Sequence, residues 1–438
     1  MNYPILIKRL FKFNFFWKKY KFILFYLLII FTSQNLYSES NLPYRYITLS
    51  EYIEKVLENN PASKINAQEY KLIQLDYLKE LQKYSFNIDL SGSAEYNIEP
   101  EGRGAYIALD TRKILYDGGK KRILEKELEI IKTLSNTNLL AQNDTLILTA
   151  ILYYTDFFYK QEVLDFLKEQ FEQQKSFVEK IESSYQKGIK FSTYDYLTSK
   201  SELLKLEKDL VNQKSNIIKT EVAFRQFGHI FNPEPIKLYL LDINFKPDII
   251  TLQKYSLIHN NSLNTLRLEE ELQKNKILEK EAEGGFQIYI RSSLGIQGGT
   301  NEYTDQTNLI ASIAISFGLP IYDGGVRKTE ILSERIKTIK QNLMVKKVEE
   351  DIIKKLNELY TDYKAIEQII EILQQQLIIN EKRLKVSLER LEKGLEDYRA
   401  VRESWTDLIN TKIELIYNKT ISQKILADMS VLSGIRIF

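Results

Sequence analysis

The sequence predicts a mixed α and β chain built from two equivalent halves, each running helix, strand hairpin, long helix and return helix. Three observations predict it. Tyr116-Asp117-Gly118-Gly119 returns as Tyr322-Asp323-Gly324-Gly325 at an offset of 206, and Gly188 and Gly228 return as Gly394 and Gly434 at the same offset. Glycine and proline are missing from Lys120 to Lys187 and from Ile189 to Phe227, and again from Val326 to Lys393 and from Leu395 to Ser433. Ahead of each breaker-free run, apolar and polar residues alternate with the period of a strand that has two unlike faces.

The first 38 residues have the pattern of a secretory signal. Lys8, Arg9, Lys12, Lys18, Lys19 and Lys21 make a basic stretch, Phe22 to Phe31 an apolar core of ten residues, and Thr32 to Ser38 a polar exit with cleavage expected after Ser38. Ten apolar residues fall short of the roughly 20 that a spanning helix needs, so removal is expected rather than retention as an inner-membrane anchor. No later segment is apolar enough for a membrane helix. A mature chain that enters a membrane is expected to do so through strands.

The first half is expected over residues 39–228. Thr48 to Tyr84 is helical in pattern, with a turn at Asn59-Asn60-Pro61 and Leu72, Leu75, Leu78 and Leu81 at spacing three. A strand follows over about 86–97, with Phe86, Ile88, Leu90, Gly92, Ala94 and Tyr96 on one face and Asn87, Asp89, Ser91, Ser93, Glu95 and Asn97 on the other. A polar loop is expected from Asn97 to Gly104. The second strand, about 105–116, sets Ile107 and Leu109 against Asp110 and Arg112. The long helix covers about 120–187 and the return helix about 192–227. Such a helix is roughly 100 Å long, at about 1.5 Å per residue, where ordinary cores use about 11–12 residues.

Residues 229–255, with Pro233, Pro235 and Pro247, are expected to form an irregular connector. The second half, 256–438, repeats the order: strands over about 286–297 and 308–319 around a loop from Gly298 to Asn308, a long helix over about 326–393 and a return helix over about 396–433. Each long helix carries a heptad seam that needs a partner. Leu164, Leu167, Phe171, Gln174, Val178, Ile181 and Tyr185 step by three and four, and Ile370, Leu373, Leu377, Asn380, Leu384, Ser387 and Leu391 repeat them at the offset of 206. The return helix supplies that partner, which makes two helical hairpins with tips at Gly188 and Gly394.

The strands have the length of membrane-crossing β-strands, about 9–11 residues. Four of them cannot close a barrel, whose usual minimum is about eight strands, and an open edge in lipid costs several kcal/mol per unpaired group. Strands pooled from two, three or four copies satisfy this arithmetic. Tyr96, Tyr116 and Tyr322 fall at strand ends, where an aromatic belt would lie.

Little else carries chemistry. Net charge is +2 over 438 residues, so no field favours nucleic acid, and the absence of cysteine excludes disulfides, thiolate metal sites and an N-terminal lipid-bearing cysteine. His229 and His259 are the only histidines and lack a third ligand nearby. No nucleophile elbow, phosphate-binding loop or zinc signature occurs. Neither an enzyme nor a cofactor or metal site is expected.

Taken together, the signal, the helix with Asn-Asn-Pro, the hairpin, the doubled Tyr-Asp-Gly-Gly and the doubled glycine tips resemble the TolC-type outer membrane efflux proteins, from about Thr48 to Gly434. Leu319-Pro320-Ile321-Tyr322-Asp323-Gly324-Gly325 is similar to the family's strand-to-helix junction; the first copy has Ile114 where the second has Pro320. The resemblance implies a homotrimer with a 12-stranded transmembrane β-barrel in the outer membrane, continued by a long periplasmic α-helical barrel. It implies a passive exit channel of a tripartite efflux or type I secretion system, docked through tips at Gly188 and Gly394 onto a periplasmic adaptor (membrane fusion) protein served by an inner-membrane pump. Asp117, Gly118, Gly119, Asp323, Gly324 and Gly325 would be junction residues, and Asp195, Glu396 and Glu403 the candidate entrance gate. The gate departs from the family pattern. Ala400 stands at one acidic position while Glu403 keeps the other, Glu396 replaces a basic residue, and the first tip has one extra residue before Asp195. The alternative from the residues alone is an envelope coiled-coil scaffold or adaptor that conducts nothing.

Overall fold

The computed structural model describes residues 44–98, 101–188, 191–239, 246–301 and 304–435. The expected signal over 1–38 lies outside the described residues. The chain divides into two units. The smaller holds the residues up to Tyr46 and Asn232–Lys237, where the Arg45 N–H donates to the Pro235 carbonyl at 2.9 Å. The larger, Ile47–Phe231 with Leu238–Phe438, carries the long helices and the four-stranded sheet. Two short strands, β1 (Arg45–Ile47) and β4 (Ile236–Leu238), form a sheet of their own.

The first half opens with α1 (Leu49–Asn59), capped by the Thr48 hydroxyl and burying Leu49, Tyr52, Ile53 and Val56 on one face. Asn60 ends α1 and starts α2 (Pro61–Gln82): its side chain accepts from the Ala62 N–H at 2.9 Å, and Pro61 stands in the first turn, where a missing N–H removes no helical bond. Then come β2 (Asn87–Ile98), β3 (Glu101–Asp117), α3 (Lys120–Gln186) and α4 (Thr193–Phe227). The second half runs α5 (Ile249–His259), α6 (Asn261–Ala282), β5 (Gln287–Asn301), β6 (Thr304–Gly318), α7 (Val326–Glu392) and α8 (Tyr398–Ser433). Helices α3 and α7 are each 67 residues long, in the same register of the repeat.

The repeat has two offsets. Helices α1 and α2 and the start of β2 return 200 residues later as α5, α6 and the start of β5, and only past the hairpins does the offset become 206. The second hairpin is therefore six residues longer. Asn260 does for α5 and α6 what Asn60 does for α1 and α2, accepting from the Leu263 N–H at 3.0 Å. Both asparagines also tie the end of a return helix: Asn60 donates to the Phe227 carbonyl at 3.1 Å and Asn260 to that of Leu432 at 3.0 Å.

Three expectations need correction. The stretch 229–255 is not wholly irregular: it contains β4 and most of α5, so the second half begins at Ile249 rather than at 256. Pro247 and Asp248 are helix-start signals, the Asp248 carboxylate accepting from the Thr251 N–H at 3.1 Å. The polar loops expected over Asn97–Gly104 and Gly298–Asn308 are mostly strand, paired out to Ile98 with Glu101 and Asn301 with Thr304. An antiparallel ladder satisfies backbone groups whatever the side chains are, so polarity did not end it. Finally, α8 starts at Tyr398, after Glu396, because Asp397 caps it.

The sheet order is β2-β3-β5-β6, antiparallel throughout. The two halves thus join directly through β3 and β5, and among the described residues β2 and β6 keep free edges. Register separates the faces. Asp89, Asp110, Ser293 and Ser312 lie side by side on one, and Leu90, Leu109, Leu294 and Ala311 on the other. The apolar face is uncovered, with Ile313 78% exposed.

An aromatic core lies where α1 meets α3 and α4. Tyr52 stacks on Phe224 at 3.9 Å and 11°, and its hydroxyl donates to the Phe224 carbonyl at 2.9 Å. Tyr154 reaches the carbonyls of Ile47 and Tyr239, at 3.0 and 2.8 Å. Burial holds both phenols far above their ordinary range, so they remain donors.

Glu127 of α3 is buried without a hydrogen-bond partner for Oε1 among the described residues. Tyr77 of α2 and Glu279 and Lys276 of α6 face it. Burial first, then the Glu279 charge, push its carboxyl up to about 7, with Lys276 pulling the other way. A carboxyl raised in the folded state carries no penalty below its unfolded value of 4.5, and the penalty is complete above about 7. Glu127→Gln should therefore raise the Tm of the detergent-solubilised protein at pH 8.5 and lose most of that gain at pH 4.5. An equal gain at both pH values in thermal melts followed by circular dichroism refutes this account.

Candidate functional site: strand-to-helix junctions and helical tips

Each junction is built by one aspartate and two glycines. Asp117 accepts from the N–H of Gly119 at 3.2 Å and of Lys121 at 2.9 Å; Asp323 accepts from Gly325 at 2.9 Å and Arg327 at 3.0 Å. The carboxylate thereby satisfies two donors at the start of a 67-residue helix and meets the positive end of its dipole. These backbone bonds, that of Arg327 first, hold the Asp323 carboxyl below its usual range. Gly118 and Gly119 have φ of 77° and 96°, and Gly324 and Gly325 of 69° and 89°. A Cβ in that left-handed region costs about 1–2 kcal/mol per residue, which is why glycine occupies all four.

The junctions differ in what covers them. A Cβ on Gly118 would lie 2.6 Å from the Ala282 carbonyl oxygen and 3.1 Å from Gly285 Cα, so the turn between α6 and β5 packs against it. Lys120 adds an ion pair to Glu283 at 2.9 Å. A Cβ on Gly324 would meet no described residue within 4 Å, and Ile321 and Tyr322 beside it are 93% and 89% exposed. In the first copy, that surface is closed by the second half. In the second copy, it is open.

Gly188 and Gly394 end the long helices with φ of 71° and 70°, and among the described residues no neighbour would exclude a Cβ. Conformation alone demands glycine there. At the second tip the N–H of Gly394 donates to Leu391 at 3.0 Å and that of Leu395 to Arg390 at 2.9 Å, which closes the last turn. At the first, the Ser192 hydroxyl and the Asp195 carboxylate cap each other's backbone N–H, both at 3.1 Å. Asp195 is thus engaged within its own hairpin. Glu396 is as well, paired with Arg390 Nε at 3.6 Å. Glu403 is exposed and makes no ion pair with any described residue.

The sequence pattern gave no sign of the polar contacts near the tips. Tyr185 stacks on Tyr196 at 5.0 Å, and the Tyr196 hydroxyl donates to Glu182 at 2.8 Å and accepts from Lys200 at 3.1 Å. Hydrogen bonding to Tyr196 raises the Lys200 ammonium pKa. In the helical interior, Trp405 Nε1 donates to Gln170 at 2.9 Å, Asn380 to the Thr411 hydroxyl at 2.9 Å, and Ser387 meets Ser404 at 3.2 Å.

The seams are wider than expected on α3. Val163, Gln170 and Phe177 are buried there together with Leu167, Gln174, Val178 and Ile181, while Leu164, Phe171 and Tyr185 are half-buried. The cause is a second neighbour: α3 packs on α4 and also on α8, through Phe177 against Tyr398 and Trp405. On α7 the seam is the expected one, and the repeat positions of Gln170 and Phe177, Gln376 and Arg383, are exposed. A groove of about 530 Å³ lies among α3, α4 and α8, lined in part by Glu202, Asp209, Arg402 and Trp405. Among the described residues no helix is long and apolar enough to cross a membrane, and no cluster of three His, Asp or Glu is placed to hold a metal ion.

No protein-family model and no curated protein sequence matches the chain. Solved structures do. The outer membrane protein VceC of Vibrio cholerae superposes with a TM-score of 0.72 at 14% identity, over 89% of this chain and 97% of that one. The MtrE outer membrane channel of Neisseria gonorrhoeae gives 0.73 at 13% identity, over 88% and 89%. The CmeC outer membrane channel of Campylobacter jejuni gives 0.71 at 14% identity, over 88% and 85%. With its doubled junctions and tips in place, the chain has the fold of these outer membrane channels, the TolC-type architecture its sequence resembles.

Proposed function

We propose that the chain is one subunit of a homotrimeric outer-membrane exit channel, conducting substrates passively from a periplasmic adaptor and inner-membrane pump to the exterior. Twelve pooled strands form the transmembrane β-barrel, and the helices continue it as a periplasmic α-helical barrel. The observation that carries this reading is the half-used repeat. Within the chain, β3 pairs with β5, α6 packs on α3, and α3 packs on α8. The matching surfaces that lead from the second half back to a first half lie open: the edges of β6 and β2, the exposed Leu72 and Leu75 of α2, and the bare junction at Gly324.

A second copy, set so that its first half follows this chain's second half as that second half follows the first, covers all of these at once. Two rows of exposed apolar residues at heptad spacing fit that arrangement, Leu197, Leu204, Val211 and Ile218 on α4 and Ile372, Ile379 and Val386 on α7. Heterologous contacts of this kind close into a ring when the rotation between copies divides a full turn. The number three comes from the TolC-type resemblance. The apolar sheet face then meets lipid and the polar face lines the lumen.

At the opposite end, the tips around Gly188 and Gly394 present exposed Tyr194 and Leu395 for docking to the adaptor. Three copies of Glu403 around one axis make a negative constriction that favours cations. Asp195 and Glu396 serve the tips from within, by capping and pairing.

The mature protein, extracted in detergent from outer membranes, should have the mass of three chains after the detergent is subtracted; a soluble monomer or dimer that needs no detergent overturns the channel. Val211→Asp with Ile379→Asp places unpaired carboxylates in the contact between copies, each costing about 2 kcal/mol or more. It should shift trimer to monomer while leaving helical circular dichroism intact, and an undiminished trimer refutes these seams as the interface. In planar bilayers, Glu403→Ala should lower the cation preference, and an unchanged reversal potential removes Glu403 from the gate.

A further inference from the structure

The polar face of the sheet carries a second charged feature that the gate does not use. Arg112 of β3 lies directly opposite Arg291 of β5. Like charges in that position destabilise a sheet. The two guanidiniums gather on one ring, Tyr289, with their centres 5.4 and 4.7 Å from its centroid. Neither makes an ion pair with any described residue.

None of the nearby described carboxylates neutralises them. Asp110, two residues along β3 on the same face, is held by the hydroxyls of Ser91 and Ser293. Asp117, towards the helix, accepts from the N–H groups of Gly119 and Lys121. Asp89, opposite Asp110, forms no ion pair with either arginine. The fold does not impose the pair, because the repeat counterparts of Arg112 and Arg291 are the uncharged Gly318 and Ser91. Two exposed forks of donors, steadied by an aromatic face and lacking a counter-ion, match the paired oxygens of a phosphate or carboxylate.

We propose that Arg112 and Arg291 form a seat for the anionic group of transported molecules, at the helix-proximal end of the barrel lumen, so that the cargo includes phosphate- or carboxylate-bearing compounds. This rests on the channel reading, which turns the polar face inward and multiplies the pair by the number of subunits.

The test is single-channel recording of the full mature protein in planar bilayers, with inorganic pyrophosphate as the probe. The wild-type conductance in potassium chloride should fall saturably as pyrophosphate is added. The double variant Arg112→Gln, Arg291→Gln should raise the half-blocking concentration roughly tenfold or more, the loss of charge-assisted hydrogen bonds on both sides of one anion. Arg103→Gln, near the far end of β3, should leave it unchanged. Removing opposed like charges relieves the sheet, so the double variant should insert. If it does not, Arg112→Lys with Arg291→Lys decides: charge without the fork should block several-fold more weakly than wild type. Block at the wild-type concentration in the glutamine pair, or in the lysine pair where that decides, overturns the seat while leaving the channel standing. A wild type that conducts but is not blocked does the same. A wild type that conducts nothing overturns both.

Discussion

The backbone of a four-stranded sheet is the constraint from which the rest follows. Its outer strands, β2 and β6, leave a row of N–H and C=O groups unpaired along each edge, and its uncovered face is apolar. In water, that edge invites aggregation; in lipid, each unpaired group costs several kcal/mol. The chain carries the remedy in its own repeat, because the contact between β3 and β5 is already a contact between a first half and a second. Repeating it between copies pairs β6 with β2 by the same geometry. The helices obey the same rule: α3 uses both flanks inside the chain, while its counterpart α7 uses one and leaves Gln376, Arg383 and a row of isoleucines exposed.

Continuity from sheet to helix then has to be absolute, since any slack would misalign neighbouring walls. The aspartate and two glycines provide it locally, with a capped helix start and two left-handed residues, independent of what lies around. This explains why the offset of 206 holds exactly from junction to tip and back, while the earlier offset of 200 absorbs the difference in the hairpins. Helices that stand side by side must share a length; the second hairpin can take six more residues, shared between its two strands, because among the described residues nothing opposes its far end.

Much of this was legible in residues. Breaker-free runs marked the long helices to within a residue, since nothing but a long helix tolerates so many residues without glycine or proline. Doubled glycines marked the junctions and tips, and every glycine at those places takes positive φ. What escaped the sequence is what depends on partners. The hairpin turns looked long because Gly298, Gly299 and Asn301 are polar or small, yet ladder bonds ignore side chains. Helix α5 was hidden behind prolines that in fact precede its cap. The seam on α3 looked single because one heptad pattern satisfies one neighbour, and only the packed chain shows the second. Nor did the sequence pattern show that Asp195 closes a capping box with Ser192 or that Glu396 pairs with Arg390.

Polar groups inside the helical seams have a role that stability alone does not account for. A 67-residue helix with a uniform apolar seam could slip against its neighbour by a heptad and lose only its end contacts. Gln170 with Trp405, Asn380 with Thr411 and Ser387 with Ser404 forbid the slip, because each shift strands a buried donor or acceptor at about 1–3 kcal/mol. Three such pairs, gathered towards the tip ends of α3, α7 and α8, make the aligned register the single low-energy one. The heights of the Gly188 and Gly394 tips relative to one another are thereby fixed by side chains about two to five turns back along the helices rather than by the tip loops, which vary by a residue at the extra position before Asp195.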